Sequence, residues 1–349
     1  MLEGPGNGVL RLMVMAMNRI IKLPLSLPEV LLPNLERQYP ELDQKLSLLC
    51  RLDRDMIRME AMSFAMMRRH YFLSQTLLGP RHVSIEDIIN QRIPCKAGHA
   101  IPMRIYRPKT LSPRRRTIFY IHGGGWSIGG INTYDGVLRQ LSAKTGAQVV
   151  AVGYRLSPEH PFPAAPNDCY DAWRWLLHCR EWLHLDTENL AIVGDSAGAN
   201  LALNLSRRLT AAGTLKPKFI GLVYPSLDLG LDSPSWKTLD KGLLLSKVLM
   251  RRFVHAYAPQ THQWQHPDLS PMMAHYGEDF PKCLIFTAEM DPLRDEGRLF
   301  ADRLRDSGCD VTYKQYQKLV HGFLGLAGAI PLAARAFHDI CFSIKETFH

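Results

Sequence analysis

Four short, unbroken apolar runs dominate the middle of the chain: TIFYI at 117–121, VVAVGY at 149–154, LAIVG at 190–194 and CLIFTA at 283–288. A strand with one face in water alternates polar and apolar residues, whereas these runs do not alternate. They therefore suit parallel strands buried on both faces. Helical stretches fall between them, near 134–145, 164–178, 197–211, 293–306 and 331–348. Four further strand candidates complete the series, at 88–94, 101–106, 219–224 and 311–316, and only a short turn around Lys96–His99 separates the first two. Strand, helix, strand in this rhythm predicts a mostly parallel, doubly wound α/β sheet of eight strands, led by a hairpin and flanked by helices.

Two regions interrupt the rhythm. Residues 1–87 read as helices without strands, and residues 226–280 form an insertion with a helical piece around 243–257. Both are expected to cover one end of the sheet as a cap on a catalytic domain of residues 88–349. On a helix from about Gly8 to Leu23, the polar residues Arg11, Asn18, Arg19 and Lys22 form one narrow stripe, and Pro24 and Pro28 stop it. Its broad apolar face favours docking over the site, with peripheral contact to a membrane surface as the alternative.

The chemistry is concentrated in a few places. Gly194-Asp195-Ser196-Ala197-Gly198 follows the strand LAIV and opens a helical run. This is G-x-S-x-G in a strand–turn–helix setting, where small neighbours let the chain turn sharply and expose the serine hydroxyl. His122-Gly123-Gly124-Gly125-Trp126 follows TIFYI directly. Glycines there let backbone amides approach an oxyanion, and Gly123, Gly124, Gly125 and Ala197 are the candidate donors, with Gly124 central. His122 reads as a structural residue orienting the loop. The spacing excludes a phosphate loop, since no G-x-x-x-x-G-K-[ST] occurs, and excludes G-x-G-x-x-G because position 128 is Ile.

A serine needs a base, and the base needs an acid to fix its tautomer. Asp291 follows the strand CLIFTA and His321 follows VTYKQY, so both sit at C-terminal strand ends, as Ser196 does. Glu289 and Asp295 are rival acids. His160 and His178 are rival bases that precede the serine in the chain.

Taken together, HGGGW at 122–126, YRLSPEHPFPAAPND at 154–168, GDSAGANL at 194–201, DPLRDEG at 291–297 and HGF at 321–323 carry a resemblance. The chain resembles the hormone-sensitive lipase-like family of α/β-hydrolases, which includes bacterial acetyl esterases and arylacetamide deacetylase. The resemblance implies an α/β-hydrolase fold, Ser196 as nucleophile, Asp291 as acid, His321 as base, and an oxyanion hole from the glycine loop and Ala197. It implies a structural turn for YRLSPE, and small, fairly apolar esters as substrates; the expected helical cap over the site favours short acyl chains. Gly153 departs from it, standing where the family often has an acidic or amide residue. Lipid or amide deacylation at a membrane surface and a non-catalytic ligand receptor are the competing readings.

Other classes are disfavoured. Lysine and arginine outnumber aspartate and glutamate by 42 to 33, but they fall in scattered pairs without an aromatic ladder, which reads as solvated basic surface rather than a nucleic-acid site. Seven widely spaced cysteines without a C-x-x-C pair argue against a disulfide framework or a zinc ribbon. No H-E-x-x-H motif occurs, and no metal or organic cofactor is expected. The early apolar run is broken by Arg11, Arg19 and Lys22 and lacks a cleavage pattern. A reducing cytoplasm is the expected compartment.

Overall fold

The computed structural model describes residues 39, 42–53, 58–109, 114–241 and 243–349. The helix expected over Gly8–Leu23, with its docking and membrane alternatives, lies outside the described residues. Eight strands form one sheet in the order β1-β2-β4-β3-β5-β6-β7-β8. They are β1 (Asp87–Pro94), β2 (Ala100–Arg107), β3 (Arg115–Ile121), β4 (Gln148–Val152), β5 (Leu185–Asp195), β6 (Phe219–Val223), β7 (Lys282–Met290) and β8 (Val311–Val320). β1 pairs with β2, and β2 with β4, antiparallel. The remaining pairs are parallel.

Each expected strand is present, and the differences in length have local causes. β5 begins five residues early because Leu185 pairs with Arg115. β4 stops at Val152: Gly153, next in register opposite Pro102 of β2, donates its N–H to Pro102 O at 2.9 Å, but the proline has no N–H to return. A Cβ on residue 153 would lie 2.7 Å from Pro102 Cγ, so this chain's glycine at that place is a packing requirement.

The longer helices are α1 (Gln44–Leu52), α2 (Phe64–Leu78), α3 (Asp135–Thr145), α4 (Ala164–His178), α5 (Ala197–Ala211), α6 (Lys247–Tyr257), α7 (Arg294–Asp306) and α8 (Pro331–Thr347). Ser63 caps α2 by accepting Met66 N–H, and Ser246 caps α6 by accepting Leu249 N–H. That cap places the start of α6 at Lys247 rather than Leu243. The two-residue period of the strands divides their side chains between two cores. Phe119, Ile121, Val150, Ile192, Ile220 and Ile285 pack on the side of α4, α5 and α7. Ile118, Tyr120, Val149, Val193, Leu284 and Phe286 pack on the side of α3 and α8.

The basic pairs are not simply solvated surface. Arg68, on α2, donates from Nε to Ser127 O and from Nη2 to Ser157 O, at 2.8 and 2.9 Å, and binds Glu159. Arg252, on α6, donates from Nη2 to Met62 O, and Arg207 donates to Pro267 O and Asp268. Charge pattern alone cannot show that such side chains tie helices to loops, because their acceptors are backbone carbonyls distant in sequence. All seven cysteines are unpaired thiols. Among the described residues no helix is long and apolar enough to cross a membrane.

Candidate active site

The site is assembled where β3, β5, β7 and β8 end on the same edge of the sheet. β5 ends at Asp195, and α5 begins at Ala197, leaving Ser196 alone in the turn. Ser196 has φ 53° and ψ −121°, a left-handed conformation that costs a non-glycine residue on the order of 1–3 kcal/mol. The strain is held from both sides: Ser196 N–H donates to Val223 O at 2.8 Å, and its carbonyl accepts Ala199 N–H. Gly198 allows the turn to pass under β3, since a Cβ there would lie 2.6 Å from His122 O.

β7 runs up to Met290 and β8 up to Val320, so Asp291 and His321 are each the residue that follows a strand end. His321 Nε2 is 3.0 Å from Ser196 Oγ, and His321 Nδ1 is 2.8 Å from Asp291 Oδ2. Asp291 is fully buried, and its other oxygen accepts Leu293 N–H at 2.8 Å. The Tyr224 ring meets the imidazole edge-on, with centroids 4.8 Å apart. The rivals are elsewhere. Glu289 accepts Lys318 N–H, and Asp295 pairs with Arg294. His160 and His178 are exposed and make no hydrogen bond to Ser196 among the described residues.

The glycine loop corrects one expectation. Gly123 N–H donates to Asp195 Oδ1 at 2.9 Å and is therefore not free to meet an oxyanion. The amides of Gly124, Gly125 and Ala197 take no acceptor among the described residues. Gly124, at φ 113°, holds a conformation that side chains rarely adopt. His122 stacks on Tyr154, with centroids 4.3 Å apart, and its carbonyl accepts Tyr154 O–H at 2.8 Å. Burial pushes its imidazole down to about 4, as suits a neutral structural residue.

Asp195 stands out as a residue to which the sequence reading gave no role. Its buried carboxylate accepts Tyr120 O–H at 2.9 Å, Tyr134 O–H at 2.8 Å and Tyr224 O–H at 3.3 Å, besides Gly123 N–H. Burial raises its pKa, and the hydrogen bonds from Tyr134, Tyr120 and Gly123 pull it back. Its only sequence signal is a charged residue inside an otherwise small-residue turn. The tyrosines come from three other elements and could not be paired with it in advance. Arg155 of YRLSPE grips the fully buried Asp168 through Nε and Nη2, and Trp126 O accepts Ser157 N–H, so this segment is structural.

A cavity of about 150 Å³ opens onto Ser196 and His321. Leu244, Leu245, Leu249, Met250 and Phe253 line one side, from the 226–280 insertion and α6; His70, Tyr71, Ser74, Gln75 and Leu78 line another, from α2. A Cys95–His99–Asp168 cluster, drawn together where the first hairpin meets α4, has ligand atoms within 4.8 Å of one another. Asp168 there is already paired with Arg155 and His99.

Residues 118–325 match the family model described as alpha/beta hydrolase fold. The chain is 32% identical over 266 residues to the ethyl acetate hydrolase of Pseudomonas putida, covering 75% of this chain and 84% of that protein. It is 34% identical over 252 residues to the carboxylesterase NlhH of Mycobacterium tuberculosis, covering 71% and 79%. The chain belongs to the hormone-sensitive lipase-like family of α/β-hydrolases. Among solved structures, this hydrolase superposes on LAE6, an α/β hydrolase from the metagenome of Lake Arreo, with a TM-score of 0.84 and 32% identity. That match covers 88% of this chain and 99% of LAE6. The thermophilic carboxylesterase EstE1 gives a TM-score of 0.79 at 32% identity, covering 83% and 99%.

Proposed function

We propose that this carboxylic ester hydrolase is a serine esterase that works through an acyl-enzyme, with Ser196 as nucleophile, His321 as base and Asp291 as acid. The observation that carries the reading is the continuous chain from Ser196 Oγ to His321 Nε2 at 3.0 Å and from Nδ1 to Asp291 Oδ2 at 2.8 Å. His321 takes the hydroxyl proton as Oγ attacks the ester carbonyl. It returns the proton to the leaving alcohol and then activates water on the acyl-enzyme. Asp291 keeps Nδ1 protonated, so that Nε2 offers its lone pair to Oγ. The amides of Gly124, Gly125 and Ala197 meet the oxyanion, and the start of α5 adds favourable dipole.

Short-acyl esters fit a cavity of about 150 Å³, a volume that leaves little room for a long acyl chain. The relationship to an ethyl acetate hydrolase supports the same class. Of the cap expected over residues 1–87 and 226–280, around the catalytic domain of 88–349, the parts that lie within the described residues line this cavity through α1, α2 and α6. A cytoplasmic location accords with the seven unpaired cysteines.

The test is hydrolysis of p-nitrophenyl esters, from acetate to long chains, by wild type and Ser196→Ala. The wild type is expected to turn over the short esters, while the folded variant falls to near background. Equal activity in both proteins removes Ser196 as nucleophile.

A further inference from the structure

The cavity beside Ser196 has two unlike walls. The insertion wall is apolar, built by Leu244, Leu245, Leu249, Met250 and Phe253. The side supplied by α1, the residue after it and α2 adds four polar residues, Asp53, His70, Ser74 and Gln75, to the apolar Leu49, Tyr71 and Leu78. His70 is only 4% exposed. Its Nε2 lies 3.3 Å from Ser74 Oγ, and its Nδ1, also buried, finds no hydrogen-bond partner among the described residues. A buried polar atom without a partner is costly and uncommon, on the order of 1–3 kcal/mol, and because His70 belongs to the residues lining the cavity, a ligand group that reached Nδ1 would remove that cost. Burial also pushes the imidazole down to about 4, so the ring is neutral at ordinary pH and offers one donor and one acceptor nitrogen.

We propose that His70, supported by Ser74, forms a polar subsite that recognises a hydroxyl group on the ester substrate, away from the scissile bond. This deepens the serine-esterase reading and rests on it. A hydroxyl both donates and accepts, so it can satisfy Nδ1 in either tautomer of His70. A plain alkyl chain leaves Nδ1 unpaired. An anionic substituent is disfavoured: burial already pushes Asp53 in the same cavity up to about 7, and among the described cavity-lining residues there is no lysine or arginine to balance another carboxylate. The preferred substrates are neutral hydroxylated esters, and the selectivity comes from the helices that precede the catalytic domain.

The experiment compares two isosteric pairs by pH-stat. One pair is the hydroxyethyl and propyl esters of butanoic acid, which places the hydroxyl on the alcohol side. The other is the ethyl esters of ω-hydroxyhexanoic and heptanoic acids, which places it on the acyl side. A wholly apolar pocket would disfavour the hydroxyl by up to about a hundredfold. With the subsite present, kcat/KM for the hydroxylated member of one pair is expected to equal or exceed that of its isostere. His70→Leu is expected to shift that ratio toward the alkyl ester by about tenfold or more. Ser74→Ala shifts it in the same direction, and His70→Gln, which keeps hydrogen-bonding atoms, shifts it less. Ratios unchanged in His70→Leu and Ser74→Ala, or a hundredfold alkyl preference in wild type on both pairs, overturn the subsite. If wild type and Ser196→Ala hydrolyse all four esters equally, it is the serine-esterase reading that fails.

Discussion

Removing the Asp195 carboxylate tests whether the glycine loop is positioned from the nucleophile turn. Asp195 accepts from Gly123 N–H, Tyr120 O–H and Tyr134 O–H at 2.8–2.9 Å, all of them buried. Asp195→Ala leaves these donors short of an acceptor. Tyr134 retains a partner, because its hydroxyl is 2.9 Å from Tyr71 O–H, so Gly123 N–H, Tyr120 O–H and, held more loosely at 3.3 Å, Tyr224 O–H are the three stranded groups. At about 1–3 kcal/mol for each buried unpaired donor, the loss is about 6 kcal/mol. Asp195→Asn can keep an oxygen toward Gly123 and Tyr120 and direct its amide toward Tyr134 and Tyr224, whose hydroxyls can turn to accept. It forgoes only the charge assistance, about 1–2 kcal/mol. The loop carries Gly124 and Gly125 immediately beyond the lost anchor. Turnover of p-nitrophenyl acetate should therefore fall by about a hundredfold in the alanine variant, comparable to the loss of one oxyanion donor, and by less than tenfold in the asparagine variant. Urea unfolding followed by tryptophan fluorescence gives the stabilities, and initial rates give kcat. If alanine and asparagine are indistinguishable in both, the hydrogen bond to Gly123 does not position the loop and this reasoning is wrong.

Gly198→Ala forces a Cβ to within 2.6 Å of His122 O, so it should destabilise the protein by several kcal/mol and give little soluble, active enzyme; normal expression and a wild-type melting curve would contradict this. The His122 pKa is lowered to about 4 by burial. Between the unfolded value near 6.5 and about 4, the unfolded chain binds the proton and the native one does not, so stability falls as pH falls through that window, by about 3 kcal/mol for this group. Urea midpoints from pH 7 to pH 4 should show the decline; His70, lowered to about 4 as well, adds a similar share, so His122→Asn should make the decline shallower and His122→Asn with His70→Leu shallower still. Arg68→Ala removes the donors to Ser127 O and Ser157 O. Limited proteolysis should then cut the chain around α2 faster than in wild type, at a stability cost of about 1–3 kcal/mol.

What could be read along the chain is what depends on near neighbours. The apolar runs marked four of the eight strands, because burial on both faces leaves a local signature in composition. G-x-S-x-G and the positions of Asp291 and His321 were legible for a related reason: each follows a strand end, and parallel strands bring their C-terminal ends to one edge. Tertiary structure decided what depends on contacts between distant segments. Gly123 looked as eligible a neighbour to Gly124 in the oxyanion hole as Gly125 did, until Asp195 took its amide. Asp195 itself looked like a filler residue until tyrosines from three separate elements converged on it. Arg68 and Arg252 read as surface charge because their acceptors are carbonyls, and every residue has one. His70 lay in a segment that read only as generic helix, and its place in the cavity that opens onto Ser196 depends on the docking of α2, which sequence pattern does not specify. Local pattern determines which elements form and where their ends fall, since those depend on burial and turn sterics. The partner of each buried polar group is set only when the chain closes, because desolvation forces every such group to find whichever acceptor or donor the fold brings near.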